Sequence, residues 1–354
     1  MSIRAKLALT TAAVMAASIF LSGCGLFGKE KESLDPPKDV TYLKDGEALD
    51  DASPDAETAT EEKEDVVMRD IYLIDKNGFV VAQSLPLPKT ESVAKQVLSY
   101  LVTDGPVADI LPNGFRTVLP AGTEVDVDVH EGKATVDFSE EFTTYDPKDE
   151  KRILQAITWT LTQFDSVDKV ELRVNGYPLT EMPANGTPVS SEGLSRADGI
   201  NTEFTNIADI TNTRPVTVYY LSQIGEDFVY IPVTRRVSNK VKDDVVAVIN
   251  ELVEGPGIFT ALETGLMDDV KLVDDPKLQD HVVTLNFNEA ILGNSENKVI
   301  SEETLRSIVL SLTEQTGIES VKVMVNGSSE VMNEKGEALT EPVTRPEKVN
   351  TGRF

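Results

Sequence analysis

Alternating and helical hydrophobic periods follow one another along this chain in a fixed order. Residues 69–74 and 79–84 are strand-like runs on either side of Asp75-Lys76-Asn77-Gly78, where Asn-Gly supplies a turn able to take positive φ. This predicts an opening hairpin. From Thr90, Val93, Val97, Leu98 and Leu101 fall on one helical face, and Gly105-Pro106 predicts the stop: Gly as a left-handed C-cap, Pro as a block to continuation. Val125, Val127 and Val129 then alternate with Glu124, Asp126 and Asp128. A turn at His130-Glu131-Gly132-Lys133 and a strand through Phe138 complete a half-buried antiparallel pair. Asp146-Pro147 reads as the N-cap and first position of a second helix, with Asp149 and Glu150 complementing its dipole. Leu154, Ile157, Leu161 and Phe164 form its buried stripe, and residues 169–174 give a last strand closed by Asn175-Gly176.

The same order recurs further on. Ile71-Tyr72-Leu73 answers Val218-Tyr219-Tyr220 at an offset of 147, and Asp104-Gly105-Pro106 answers Glu254-Gly255-Pro256 at 150. Ala134-Thr135-Val136-Asp137-Phe138 matches Val283-Thr284-Leu285-Asn286-Phe287 at 149, while Leu161-Thr162 and Val174-Asn175-Gly176 match Leu312-Thr313 and Val325-Asn326-Gly327 at 151. Leu179-Thr180-Glu181 returns as Leu339-Thr340-Glu341 after an insertion. Ordered matches at a nearly constant offset are the mark of duplication. In the second copy Val245, Val248, Ile249 and Leu252 precede Gly255-Pro256 as a helix face precedes its stop. The expected fold is α+β: two tandem split-βαβ-like domains, each hairpin, helix, two strands, helix, strand, with helices on one face of a mainly antiparallel sheet. The first domain is placed at 67–189 and the second at 214–346, with a C-terminal tail at 347–354. Between the domains lies a polar linker at 190–213, in which Phe204 and Ile207 are candidates to dock on a domain.

The N-terminus follows a different logic. Arg4 and Lys6 precede an uncharged run from Leu7 to Leu21, and Leu21-Ser22-Gly23-Cys24 places the single cysteine directly after it. Residues 1–23 therefore read as a lipoprotein export signal, with Cys24 as the lipidated first residue of the mature chain and the two-chain condition for stable anchoring met there. The apolar run of about 15 residues is shorter than the roughly 20 a bilayer-spanning helix requires. Residues 24–66 are rich in Asp, Glu, Lys, Pro, Ser, Thr and Ala, too poor in large apolar residues to fold, and are expected to form a disordered acidic tether. A flexible coil of that length spans roughly 35 Å.

Composition narrows the function classes. A net charge of −27 on 354 residues repels nucleic acid and anionic bilayers, so the membrane is expected to be reached only through the lipid anchor. A single thiol that carries lipid leaves none for a disulfide, a metal thiolate or a nucleophile. His130 and His281 are the only histidines, and the counterpart of His130 in the second copy is Gln279, so a duplicated histidine site is not present. Asp126 and Asp128, with Asp137, read as a solvent face rather than a carboxylate pair or calcium ligands, and Asp268-Asp269 and Asp274-Asp275 lack calcium-loop spacing. Neither a dinucleotide fingerprint nor a phosphate-binding loop occurs. Trp159 reads as core. No catalytic residue, cofactor or metal is expected.

Two stretches join these landmarks: Ile110-Leu111-Pro112-Asn113-Gly114-Phe115-Arg116 and Thr158-Trp159-Thr160-Leu161-Thr162-Gln163-Phe164. With Asp70-Ile71-Tyr72-Leu73-Ile74-Asp75-Lys76-Asn77-Gly78, the lipobox and the acidic tether, the chain resembles the tandem GerMN-domain lipoproteins of sporulation and spore germination. The resemblance implies an endospore former, a lipid anchor in the mother-cell membrane facing the space towards the forespore, and modules similar to ring-building domains that associate side by side. It implies no catalytic residue. The function expected is a non-enzymatic structural adaptor that binds proteins of the sporulation transenvelope complex. A peptidoglycan or wall-polymer binding module, suggested by the location and by Trp159 and Tyr100, is the alternative.

Overall fold

The computed structural model describes residues 66–203, 210–225, 227–258 and 260–351. Cys24, the export signal, the acidic segment before Val66 and the linker residues Phe204 and Ile207 lie outside the described residues. The first repeat opens with β1 (Val66–Asp75) and β2 (Val80–Pro88), paired from Val66↔Pro88 to Ile74↔Val80. Their turn closes as its residues dictate. Buried Asp75 accepts from the N–H groups of Asn77 (2.9 Å) and Phe79 (2.7 Å), and Gly78 takes φ +88°.

The first helix, α1 (Val93–Ser99), ends at Tyr100, well before the Gly105-Pro106 stop. The reason is tertiary. The Leu101 carbonyl accepts from the N–H groups of Val118 (3.0 Å) and Leu119 (2.8 Å), and the Thr103 N–H donates to the Leu119 carbonyl (2.9 Å), which draws the chain off the helix axis. Gly105 sits at φ −83°, so it is not a left-handed cap; its Cα lies so close to the Ser99 and Val102 carbonyls that a Cβ would meet them at 2.9 and 2.8 Å. In the second repeat the same dipeptide acts as the sequence predicts, with Gly255 at φ +77° capping its helix.

After β3 (Phe115–Arg116), which adds a short edge to β1, come β4 (Val125–His130) and β5 (Lys133–Phe138), antiparallel, then α2 (Glu150–Leu161), β6 (Lys169–Val174) and β7 (Tyr177–Pro178). The sheet order is β4-β5-β6-β7, and β5 and β6 are parallel because α2 crosses over between them. The second repeat repeats the plan with β8 (Thr213–Ile224), β9 (Asp227–Ser238), α3 (Asp244–Glu254), β10 (Lys277–Gln279), β11 (Val282–Phe287), α4 (Glu302–Leu312), β12 (Ser320–Val325) and β13 (Val343–Thr344). The α+β expectation of two tandem domains is the fold observed, with each repeat's strands divided between a hairpin layer and a mixed four-stranded sheet.

Helix and hairpin are joined by the same device in both repeats. The Tyr72 N–H of β1 donates to Thr160 Oγ1 of α2 (3.2 Å), and the Tyr219 N–H of β8 donates to Ser311 Oγ of α4 (2.8 Å). A strand edge that would otherwise be open is thus capped by hydroxyls on a helix face. Trp159 is fully buried on α2, 5.7 Å from the Tyr72 ring. The N-terminus of α2 differs in detail from expectation. Asp146 caps a short 3-10 turn at Pro147–Asp149, accepting from the Lys148 N–H (3.1 Å), and Phe164 lies past the helix end, half-buried.

Glu150 does more than complement the dipole. It is buried and accepts from Tyr145 Oη (2.7 Å) and from the N–H groups of Ala184 (3.1 Å), Asn185 (2.8 Å) and Thr187 (3.0 Å), pinning the 184–187 loop to the helix start. Burial pushes its carboxyl up, but the hydrogen bonds from Thr187, Tyr145 and Asn185 outweigh that and hold it down at about 2. A depressed carboxyl stabilises the fold fully above its unfolded value, near 4.5, and loses that contribution as pH falls towards 2. Glu150→Gln is expected to lower stability at neutral pH by about 1.5–3 kcal/mol, the range for hydrogen bonds to a charged group. The gap between parent and variant should close as urea denaturation is repeated from pH 5 down to pH 2.

Candidate functional site

The candidate site is built from the residues that join the repeats. Strands β2 and β9 face each other antiparallel at their outer edges, Val80 towards Pro232 and Ala82 towards Tyr230, without pairing directly. Two asparagines fill the gap. Asn201 Nδ2 donates to the carbonyls of Val80 (2.7 Å) and Pro232 (2.8 Å), while its Oδ1 accepts from the Val80 N–H (2.8 Å). Asn350 Nδ2 donates to the carbonyls of Tyr230 (3.0 Å) and Ala82 (2.9 Å), while its Oδ1 accepts from the Tyr230 N–H (2.8 Å). Each amide is bidentate to its own repeat and reaches the other with one bond, so the junction has a pseudo-two-fold axis.

The chain segments that carry these amides are exchanged. After the first repeat, the Ile200 N–H donates to Thr234 Oγ1 on β9 (2.9 Å) and its carbonyl accepts from the Thr234 N–H (2.8 Å). After the second, the Val349 N–H donates to Ser84 Oγ on β2 (3.0 Å), and the Ser84 N–H donates to the Asn350 carbonyl (2.8 Å). Gly199, at φ +82°, lies so near Thr234 that a Cβ would meet that side chain at 3.1 Å. Residues 190–203, expected as linker, and 347–350, expected as tail, therefore include the pieces by which each repeat grips the other. The sequence carries a signal for this. Arg196-Ala197-Asp198-Gly199-Ile200-Asn201 and Arg345-Pro346-Glu347-Lys348-Val349-Asn350 share Arg, acid, aliphatic and Asn at an offset of 149 (350 − 201).

The arginines that begin the two segments meet at one carboxylate. Arg196 lies over the Trp159 ring (4.4 Å to its centroid), donates to Thr162 Oγ1 (3.0 Å) and pairs with Glu314 of the second repeat. Arg345 lies over the Tyr219 ring (5.4 Å), donates to Thr313 Oγ1 (3.2 Å) and Tyr219 Oη (2.8 Å), and stands 3.3 Å from the same Glu314. Burial pushes the Glu314 carboxyl up, yet the guanidiniums of Arg196 and Arg345 prevail and hold it below its ordinary value. Burial also drives the Tyr219 hydroxyl up to about 12. The position matching Glu314 in the first repeat is the neutral Gln163, which instead clasps the backbone of Asp70, accepting from its N–H (3.0 Å) and donating to its carbonyl (2.7 Å). Above this floor opens a cleft of about 1020 Å³ whose walls include Arg69, Arg196, His281, Glu314 and Arg345.

The structure distributes the other candidates over the surface. His281 reaches the cleft rim, 3.1 Å from the Gly317 carbonyl, while His130 is exposed at the end of β4 beside Glu131 (3.7 Å). Asp126 and Asp128 are exposed on β4, Asp126 facing Lys95 at 3.4 Å, and Asp137 accepts from the Gly176 N–H (2.9 Å). Among the described residues no three metal-ligating side chains are grouped. Trp159 and Tyr100 are both buried, so neither offers a ring to a sugar. No helix of the described residues is long and apolar enough to cross a membrane.

These features define a tandem α+β repeat protein whose distinguishing site is the interlocked junction between its copies. The chain belongs to the Germane family, described as sporulation and spore germination, whose model matches residues 70–180 and 217–331. It is 53% identical over 357 residues to the spore germination protein GerM of Bacillus subtilis (strain 168), covering 97% of each chain. Its fold is similar to the solved tandem GerMN domains of the sporulation protein GerM from Bacillus subtilis, with a TM-score of 0.77 and 57% identity over 81% of this chain and all of that one. A more distant likeness, 28% identity over 160 residues, is to the lipoprotein LpqB of Thermobifida fusca (strain YX), and involves 43% of this chain and 25% of that protein.

Removing either bridging amide leaves strand groups of both repeats without partners. Asn201→Ala and Asn350→Ala are each expected to cost about 1–3 kcal/mol. Because they bridge the same two strands, the double variant should depart from the sum of the singles when all three are measured by urea denaturation.

Proposed function

We propose that this protein is a non-enzymatic structural adaptor of the endospore envelope. In this reading it is held to the mother-cell membrane through lipid on Cys24, faces the space towards the forespore, and binds other proteins of the transenvelope assembly. The observation that carries the reading is the junction. Two repeats of a sporulation family are locked into one body by exchanged segments and a shared carboxylate. The polar network of the junction is thereby occupied in fixing the geometry of two surfaces, as a scaffold requires. Trp159 and Tyr100, the two aromatics that suggested polymer binding, are buried and so do not support that alternative.

Lysine-reactive crosslinking of the full-length protein in intact sporulating cells tests the adaptor reading. Links to envelope proteins are expected; links to wall material alone, or to no protein, would overturn it. The anchor is tested separately: Cys24→Ala should shift the protein from the membrane fraction to the soluble or unprocessed pool. Unchanged fractionation would remove the lipid from this account.

A further inference from the structure

The two repeats differ where the first helix of each meets the edge of its four-stranded sheet. In the first repeat this groove, about 540 Å³, is lined by Lys95, Ser99, Glu124 and Asp126, and Lys95 and Asp126 close it with a 3.4 Å ion pair. In the second repeat the corresponding positions are both valine. Val246 precedes the buried Ile249 by three residues, as Lys95 precedes the buried Leu98. The Val273 N–H donates to the Asn286 carbonyl (2.7 Å), and Asn286 is the counterpart of Asp137, the residue opposite Asp126. An ion pair has thus been exchanged for two apolar side chains. The groove between them, about 610 Å³, has Val246, Ile249, Val253, Leu272 and Val273 in its walls.

Its surroundings are apolar and acidic together. Val273 is 52% exposed, and the neighbouring Met267 and Leu278 are 66% and 56% exposed. Asp274 and Asp275 line the groove and Asp269 precedes Val270 in its wall, against Lys271 as the base among the lining residues. The adjacent strand edge is β10, three residues long and directly preceded by Pro276, whose nitrogen has no hydrogen to donate. A three-residue edge behind a proline is a poor template for an added strand, so the groove favours an occupant whose backbone hydrogen bonds are already made, as a helix's are.

We propose that this groove is a docking site for a basic amphipathic helix of another protein, with apolar side chains seated on Val246, Val253 and Val273 and lysines or arginines meeting Asp269, Asp274 and Asp275. A second copy of this chain is disfavoured as the occupant, because a body of net charge −27 would bring like charge onto that rim. The inference rests on the adaptor reading and assigns it one surface and one partner chemistry.

The test places a photo-crosslinking p-benzoylphenylalanine at position 273 of the full-length protein in sporulating cells, with the same residue at position 124, in the wall of the closed groove and outside its ion pair, as the matched control. A crosslink from 273 to a helical, Lys/Arg-flanked apolar segment of another envelope protein, at least fivefold stronger than from 124, is the expected result. Val273→Asp, at an exposed position that leaves the core intact, should reduce lysine-reactive links from Lys271 and Lys277 at least fivefold. Links made elsewhere on the molecule should not change. Three outcomes at position 273 would overturn the groove proposal: no crosslink, one to an acidic or uncharged segment, or one to a second copy. If lysine-reactive links to envelope proteins persist in any of these cases, the adaptor reading survives and only the groove assignment fails; if they too are absent, the adaptor reading fails.

Discussion

The join between the two repeats is centred on the pair of asparagine amides between strands β2 and β9. A strand edge presents a row of unsatisfied N–H and C=O groups, and two such edges side by side would ordinarily zip together. Here one edge contains Pro232, which has no N–H to give, so a continuous ladder is interrupted at that position. An amide side chain supplies a donor and an acceptor within a few ångströms of each other. Asn201 and Asn350 use both to satisfy strand groups on each side of the gap. The repeats are thereby joined at a fixed spacing, and edges that could recruit foreign strands are withdrawn from solvent.

The exchanged segments make that junction hard to open. Ile200 of the first repeat is held on Thr234 of the second, and Val349 of the second on the Ser84 hydroxyl of the first, so separating the repeats breaks contacts on both sides of the axis at once. The arginines add a charged lock with an economical charge count. Two guanidiniums share the single carboxylate of Glu314, each also resting on an aromatic ring that tolerates a cation on its face. Glu314 could not be buried without such partners, and replacing it by a neutral group would leave both guanidiniums short of a counter-charge.

Duplication allows one copy to keep a structural solution while the other changes. Gln163 and Glu314 occupy the same place and do different things, the first clasping a strand and the second neutralising both arginines. The second repeat also buries Arg235 with Tyr220 Oη (2.7 Å) and Glu251 (2.9 Å). There burial, against the pull of Arg235, raises the Glu251 carboxyl to about 7. The first repeat has Leu85 at the matching position of β2 and no such cluster among the described residues. The Lys95–Asp126 pair and the valines that replace it belong to the same divergence.

Hydrophobic periodicity by itself determined the hairpins, the antiparallel strand pairs, the second helix of each repeat and the duplication, because these are local patterns repeated in register. The Asp75-Lys76-Asn77-Gly78 turn and the left-handed Gly255 cap were legible for the same reason: a positive φ selects its residue. Where a helix ends, however, depends on what competes for its carbonyls. The pull of Val118 and Leu119 on Leu101 lies in a part of the chain that the helix pattern does not contain, so only the tertiary structure moved the end of α1 to Tyr100. The junction was hidden by chemistry. Segments rich in Ser, Asp, Asn and Gly look like linker whether they are solvated or making directed hydrogen bonds, since hydrophobicity does not register a polar contact. The sequence carried the Arg and Asn of both segments at one offset, but only the folded chain revealed that each segment also grips a strand of the other repeat.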